Sequence, residues 1–146
     1  MRTLPAVTLI EVGRFTSGSF VEPNPWLCCK AVAADGQHIG RVNFGVSPLG
    51  DRVYVDNLAV DADFQRKGYA TSILLAVVRD SSPPSGTLPV TALHEVWASN
   101  GFWSKLRAGG VSGLTVTQDV RASEMCKEAE RWKALSPLAL GSDRRR

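Results

Sequence analysis

Apolar and polar residues alternate in the first half of the chain with the two-residue period of β-strands. The pattern predicts strands over four segments: Ala6–Val12, Trp26–Ala33, His38–Val46 and Val53–Val60. Asp35 and Gly36 separate the second and third segments, and this pair is a strong hairpin signal because glycine accepts the positive φ of a tight turn. The first half is therefore predicted to fold as an antiparallel meander.

A helical period replaces this alternation from Lys67 to Arg79, where apolar residues recur every three or four positions. Pro83 and Pro84 end that helix. A short strand, a short helix and another strand are predicted next, at Leu88–Leu93, Ser99–Arg107 and Leu114–Gln118. A final helix follows, and we predict a single domain over residues 1–146, of which 138–146 form a flexible basic tail.

Composition disfavours several classes of protein. The net charge is +3, and Arg144–Arg146 account for that whole excess, so nucleic-acid binding is unlikely on charge grounds. No run of eighteen apolar residues predicts a membrane span, and the N-terminus lacks the features of a secretory signal. Because His38, His94 and the cysteines have no zinc spacing, we expect no metal and a cytoplasmic protein with free thiols.

The segment between the fourth strand and the first helix carries the strongest chemical signal. The first turn of a helix that starts at a glycine leaves several backbone amides without acceptors, and the helix dipole adds positive potential at the same place. Both features suit a phosphate group. Gly68 lets the backbone approach an anion closely because it has no Cβ. Arg66 and Lys67 add positive charge. The pattern indicates a phosphate-binding loop.

This loop resembles the acyl-CoA-binding signature Q/R-x-x-G-x-G/A of the GCN5-related N-acetyltransferases (GNAT), with Gln65, Gly68 and Ala70 at the three fixed positions. The resemblance is densest over residues 52–80 and weaker over residues 88–107. It implies an α/β (α+β) fold with a mixed, mostly antiparallel sheet that is splayed at its centre and flanked by helices. It also implies acetyl-CoA as the cosubstrate.

The same resemblance implies roles for individual residues. Pyrophosphate binding falls to Gln65, Arg66, Lys67, Gly68, Tyr69 and Ala70. Pantetheine binding falls to Leu58, Ala59 and Val60. Trp103 stands where the family usually has a tyrosine that acts as a general acid, and since indole has no proton to give at neutral pH, we assign it to the pantetheine wall or the core.

The implied reaction is direct attack of a primary amine on acetyl-CoA, with an acceptor that the sequence does not identify. Two alternatives stay open: a catalytically weak CoA-binding sensor or scaffold, and an acetyltransferase associated with tRNA or another nucleic acid. The family usually places two helices after its first strand, and residues 13–25 leave room for one short turn or helix at most. We therefore expect an open acceptor site, or one completed by another subunit.

Asp56 is the first candidate for the base that deprotonates the amine. Strand alternation places Tyr54, Asp56 and Leu58 on one face, with Leu58 at the cofactor end. The alternative is that Asp56 binds a backbone amide or an arginine. His94 is the second candidate base because its unperturbed pKa is suitable, and Tyr54 and Ser104 are weaker candidates as proton donors.

The final helix carries an apolar stripe that includes Met125, Ala129 and Trp132. A stripe of this kind must be buried. A second copy of the chain could cover it, which predicts a homodimer through the C-terminal elements. Alternatively, the helix packs on the sheet of its own chain.

Overall fold

The computed structural model describes residues 3–18, 21–23, 25–93, 100–117, 120 and 124–135. The strands are β1 (Val7–Phe15), β2 (Trp26–Ala33), β3 (His38–Val46), β4 (Val53–Val60) and β5 (Val90–Ala92). The helices are a 3₁₀ turn (Ala62–Phe64), α1 (Tyr69–Ser81), α2 (Asn100–Arg107) and α3 (Met125–Leu135). In this part of the chain no helix has the length and apolar character needed to cross a membrane.

The five strands form one mixed sheet in the order β1-β2-β3-β4-β5. The first three pairs are antiparallel and β4 pairs with β5 in parallel, so the predicted meander and mixed sheet are confirmed. Gly36 has the positive φ expected of the hairpin turn, and its amide donates to the Ala33 carbonyl at 2.9 Å. No helix follows β1 in the described part of residues 16–25, as the short length of that segment predicts.

The parallel pairing between β4 and β5 is short. Pairing between β4 and β5 runs only from Val53 to Val55 on β4, and the Leu93 amide makes the last contact, 3.0 Å from the Val55 carbonyl. β4 continues to Val60. Its last five residues therefore have no β5 partner within the described residues.

A bulge interrupts β4 just beyond this point. Asp56 pairs with Asn43 and Ala59 pairs with Arg41, so β4 contains one residue more than β3 over this interval. Asn57 lies in the bulge with φ 53°. An extra residue exchanges the two faces of the strand that follows it.

The bulge makes one expectation wrong. Leu58 does not share a face with Tyr54, since it packs against the core cluster that contains Val53 and Val55. Tyr54 belongs to a separate cluster. Simple alternation predicted the opposite because no local signal in the sequence marks Asn57 as a bulge.

Each face of the sheet is covered by one main helix. α1 buries an apolar stripe against one face, where the larger core cluster lies. α3 covers the other face, where Met125, Ala129 and Trp132 pack with Trp26 and Tyr54. The stripe on α3 thus packs within its own chain, with Met125 buried and Ala129 and Trp132 partly buried. The homodimer stays a prediction without support from that stripe, and light scattering that gives a mass near 15.8 kDa would indicate a monomer.

Several element boundaries differ from the predicted ones. α1 begins at Tyr69 rather than Lys67, because Gly68 has a left-handed conformation that a helix cannot contain. The predicted strand Leu114–Gln118 is represented by isolated parallel bridges from Val116 to Val90 and from Val120 to Leu93. The predictions for His94, Ser99, Gln118 and residues 136–146 lie outside the described residues.

Candidate functional site

The loop between β4 and α1 is fixed to the end of the sheet by hydrogen bonds. The Asp61 amide donates to the Ile39 carbonyl at 2.8 Å, and the Gln65 side chain donates from Nε2 to the Val60 carbonyl at 2.9 Å. The Asp61 side chain makes no cap hydrogen bond, and its Oδ2 lies 2.8 Å from Nδ1 of His38. The side chain of Gln65 thus holds the loop in place.

Two left-handed residues shape the start of α1. Arg66 has φ 64°, and Gly68, the N-cap residue, has φ 89° and ψ 2°. The Ser72 amide donates to the Gly68 carbonyl at 3.0 Å, which is the first hydrogen bond of the helix. The amides of the three residues between them have no acceptor inside the helix. A left-handed residue followed by a helical one turns such amides towards a common point, where they can bind an anion.

The residues that carry these amides line a cavity of about 680 Å³. One wall comes from the end of β4, the loop and the first turn of α1: Val60, Phe64, Gln65, Arg66, Gly68, Tyr69, Ala70 and Thr71. The other wall comes from α2 and the segment after it: Phe102, Lys105, Leu106, Gly109, Gly110 and Val111. Arg66 and Lys105 are cationic and none of these residues is acidic, so the lining favours an anionic ligand.

Comparison with known proteins identifies the family. Residues 9–104 match the Acetyltransferase (GNAT) family. The chain belongs to this GNAT family. It is similar to a crystal structure from Deinococcus radiodurans R1 described as a "putative acetyltransferase", with TM-score 0.46 and 18% identity, covering 77% of this chain and 88% of that chain. None of the curated proteins compared with the chain matches it.

GNAT proteins use acetyl-CoA, so the cavity at the start of α1 is the candidate acetyl-CoA site. Six of the residues predicted to bind the cofactor line it: Val60, Gln65, Arg66, Gly68, Tyr69 and Ala70. Four others do not. Leu58 packs on the core, Ala59 follows it on β4, Lys67 is exposed beside the loop, and Trp103 is 5% exposed within the core.

The second wall of this GNAT site was missed by the sequence reasoning. Phe102, Lys105 and Leu106 are three and four positions apart, so they share one face of α2. That spacing was the available signal. The end of α2 is held by Arg107, whose Nε donates to the Thr117 carbonyl at 2.9 Å.

Of the catalytic candidates, the structure describes Asp56 and Ser104 but not His94. Asp56 is partly exposed, and its Oδ1 accepts the Asn57 amide at 2.9 Å. It lies in the part of β4 that has no β5 partner, with Oδ2 outside that hydrogen bond. His94 lies outside the described residues. Ser104 is exposed and is absent from the cavity lining.

Tyr54 is a structural residue rather than a proton donor. Its side chain is fully buried, and its hydroxyl donates to Oε2 of Glu128 and accepts a hydrogen bond of 2.8 Å from Nε1 of Trp132. Burial and the Glu128 carboxylate raise the pKa of Tyr54 above its usual value. The phenol therefore keeps its proton in the interior of the protein.

An ionic cluster connects α3 to the turn before β4. Nε and Nη2 of Arg131 each donate to a Glu128 carboxylate oxygen at 2.8 Å, and Nη1 donates to Asp51. Nη1 of Arg52 lies 3.8 Å from Oε2 of Glu128. Burial opposes ionisation of Glu128, but the hydrogen bonds from Arg131 and Tyr54 hold the pKa of its carboxyl below the usual range. The buried carboxylate is thus ionised and fully compensated.

The two adjacent cysteines of β2, Cys28 and Cys29, do not form a nucleophilic site. Cys29 is buried in β2, and burial raises its pKa to about 11, with the Glu11 and Asp80 charges acting in the same direction. A thiol with this pKa is protonated at neutral pH, so it does not supply the thiolate that a covalent acyl-enzyme needs.

Proposed function

We propose that this chain transfers an acetyl group from acetyl-CoA to a primary amine by direct attack. One observation carries the proposal: the first-turn residues of α1, whose amides have no acceptor inside the helix, line a cavity with two cations, next to the part of β4 that has no β5 partner among the described residues. The start of a helix can bind a phosphate group, and the backbone of a strand can pair with amide groups. CoA has both features, because its diphosphate is joined to a pantetheine arm that contains amides.

Each part of CoA has a counterpart along this path. The amides of Tyr69, Ala70 and Thr71, with Arg66 beside them, would bind the diphosphate. The free backbone edge of β4 at residues 58–60 would pair with the amides of the pantetheine arm as a neighbouring strand would. The thioester would then enter the gap between β4 and β5, towards Asp56.

The chemistry needs a neutral amine at the thioester carbonyl. The nitrogen attacks the carbonyl carbon, a C–N bond forms, the C–S bond breaks, and CoA leaves as a thiolate. We propose Asp56 as the base that accepts the amine proton, with His94 as the second candidate. Since Trp103 and Tyr54 are buried and neither is a donor at neutral pH, the thiolate would take its proton from solvent. The free cysteines suit a reducing compartment, and we propose a cytoplasmic location.

The second candidate function is a CoA-binding sensor or scaffold with little turnover. The position of Trp103 favours it, because this residue replaces the usual acid and is buried in the core. Both functions require CoA in the cavity. They differ in whether an amide product appears, so product formation separates them.

Gly68→Ala is expected to weaken acetyl-CoA binding at least about tenfold, since a side chain in this left-handed conformation would shift the loop and the amides that follow it. The new methyl group would also meet Cδ2 of Leu4 at 3.0 Å, in a backbone conformation with φ 89°. Isothermal titration calorimetry with acetyl-CoA measures the loss.

Gly50→Ala is the matched control because Gly50 has φ 72° in a turn where an added Cβ meets nothing within 4 Å. A left-handed alanine costs about 1–2 kcal/mol at either position, so both variants should lose stability. Only Gly68→Ala should lose affinity. Equal acetyl-CoA affinity in the two folded variants would remove the loop from the proposed site.

A further inference from the structure

The α2 wall of the cavity carries the ammonium group of Lys105, for which the described residues supply no counter-charge. Lys105 lines the cavity and has no hydrogen bond or ion pair with any described residue. Phe102 lies one turn before it on the same face of the helix. This wall therefore presents an aromatic side chain and an ammonium group next to each other, across the cavity from the amides of α1.

The same wall continues into two glycines that leave open space. Gly109 and Gly110 have φ 91° and 104°, and a Cβ built on either would meet nothing within 4 Å. They stand behind α2, where a positive φ ends the helix. Because both line the cavity, this part of the wall has no side chains and leaves room for a flat group beside Phe102.

We propose that Lys105 binds the 3′-phosphate of CoA and makes the site selective for CoA over its 3′-dephospho form. This rests on the proposed function, which places the diphosphate at the start of α1. CoA has a further phosphate on the ribose, and the cavity has a further cation on the opposite wall. The adenine, which lies next to that ribose, would lie against Phe102 and the glycine pair.

The alternative role for Lys105 is to reach across the cavity to the diphosphate. The two roles differ in one measurable way. A lysine that binds the 3′-phosphate contributes only to ligands that carry it, whereas a lysine that binds the diphosphate contributes equally with or without it. Comparison of two ligands in two proteins therefore separates the roles.

The experiment is calorimetric titration of the wild type and Lys105→Gln with CoA and with 3′-dephospho-CoA. Lys127→Gln is the control, because Lys127 is exposed on α3 and does not line the cavity. We expect the wild type and the control to bind CoA about tenfold more tightly than 3′-dephospho-CoA, the usual size of one charged hydrogen bond. In Lys105→Gln this preference should fall to near one, with affinity for 3′-dephospho-CoA unchanged.

Equal losses for both ligands in Lys105→Gln would overturn the proposal in favour of a diphosphate contact. A wild type that does not discriminate between the two ligands would overturn it as well. Neither result affects the proposed function, because CoA still binds. If the wild type binds neither ligand, the proposed function itself is wrong and this inference falls with it.

Discussion

Replacement of Asp56 with asparagine is expected to lower kcat about a hundredfold or more, with acetyl-CoA affinity changed little. A general base contributes about 10²–10⁴ in rate, and the substitution removes the proton acceptor alone. Asparagine can still accept the Asn57 amide through its side-chain oxygen, as Asp56 does at 2.9 Å, so the bulge in β4 should survive. Steady-state kinetics at saturating acetyl-CoA, with calorimetry on the same protein, measures both quantities.

The competing base is tested in parallel with His94→Gln, and Asp63→Asn on the exposed loop is the charge control. If Asp56 is the base, Asp63→Asn should retain wild-type kcat. Full activity of Asp56→Asn from about pH 6 to pH 9 would contradict the role of Asp56. A large loss in His94→Gln together with full activity in Asp56→Asn would assign the base to His94.

The largest effect on stability is expected from Glu128→Ala, at about 3 kcal/mol of unfolding free energy. Glu128 is 6% exposed and compensates Arg131 while accepting the Tyr54 hydroxyl. Removal of one partner from a buried ionic cluster leaves the others uncompensated, which costs about 3–5 kcal/mol. The melting temperature should fall by about 6–12 °C for a chain of this size. Glu130→Ala, on the exposed side of the same helix, should change it little.

The stabilising effect of Glu128 should also depend on pH. Its pKa is lower in the folded protein than the reference value of 4.5, so the unfolded chain takes up a proton first as the pH falls. The contribution is therefore complete above the unfolded pKa and is lost as the pH falls through the folded one. The difference in melting temperature between the wild type and Glu128→Gln should stay constant from pH 7 down to about pH 5 and narrow as the pH falls further towards the folded pKa. A difference that stays constant or widens below about pH 5 would contradict this electrostatic role.

Local signals explain why much of the fold could be predicted. The meander follows from alternation and from Gly36, and both depend on neighbouring residues only. The loop at Gly68 could be predicted because its signature occupies six consecutive residues, from Gln65 to Ala70. The meander and the loop could therefore be predicted because each depends on residues that are close together in the chain.

The parts that escaped prediction depend on distant pairs. The bulge at Asn57 reflects the register with β3, which no local pattern shows. Tyr54 and Glu128 are separated by 74 positions, so their hydrogen bond required the packing of α3 on the sheet. Lys105 lines the cavity because α2 docks beside the start of α1, which the local sequence of α2 does not show.

The most direct test of the central claim is incubation of the purified protein with acetyl-CoA and a panel of primary amines. Free thiol is followed with a chromogenic disulfide, and mass spectrometry identifies the acylated amine. We expect thiol release that requires at least one amine and equals the amide formed, with Gly50→Ala active and Gly68→Ala impaired. Tight CoA binding without amide product from any amine would contradict an N-acetyltransferase and support the CoA-binding sensor instead.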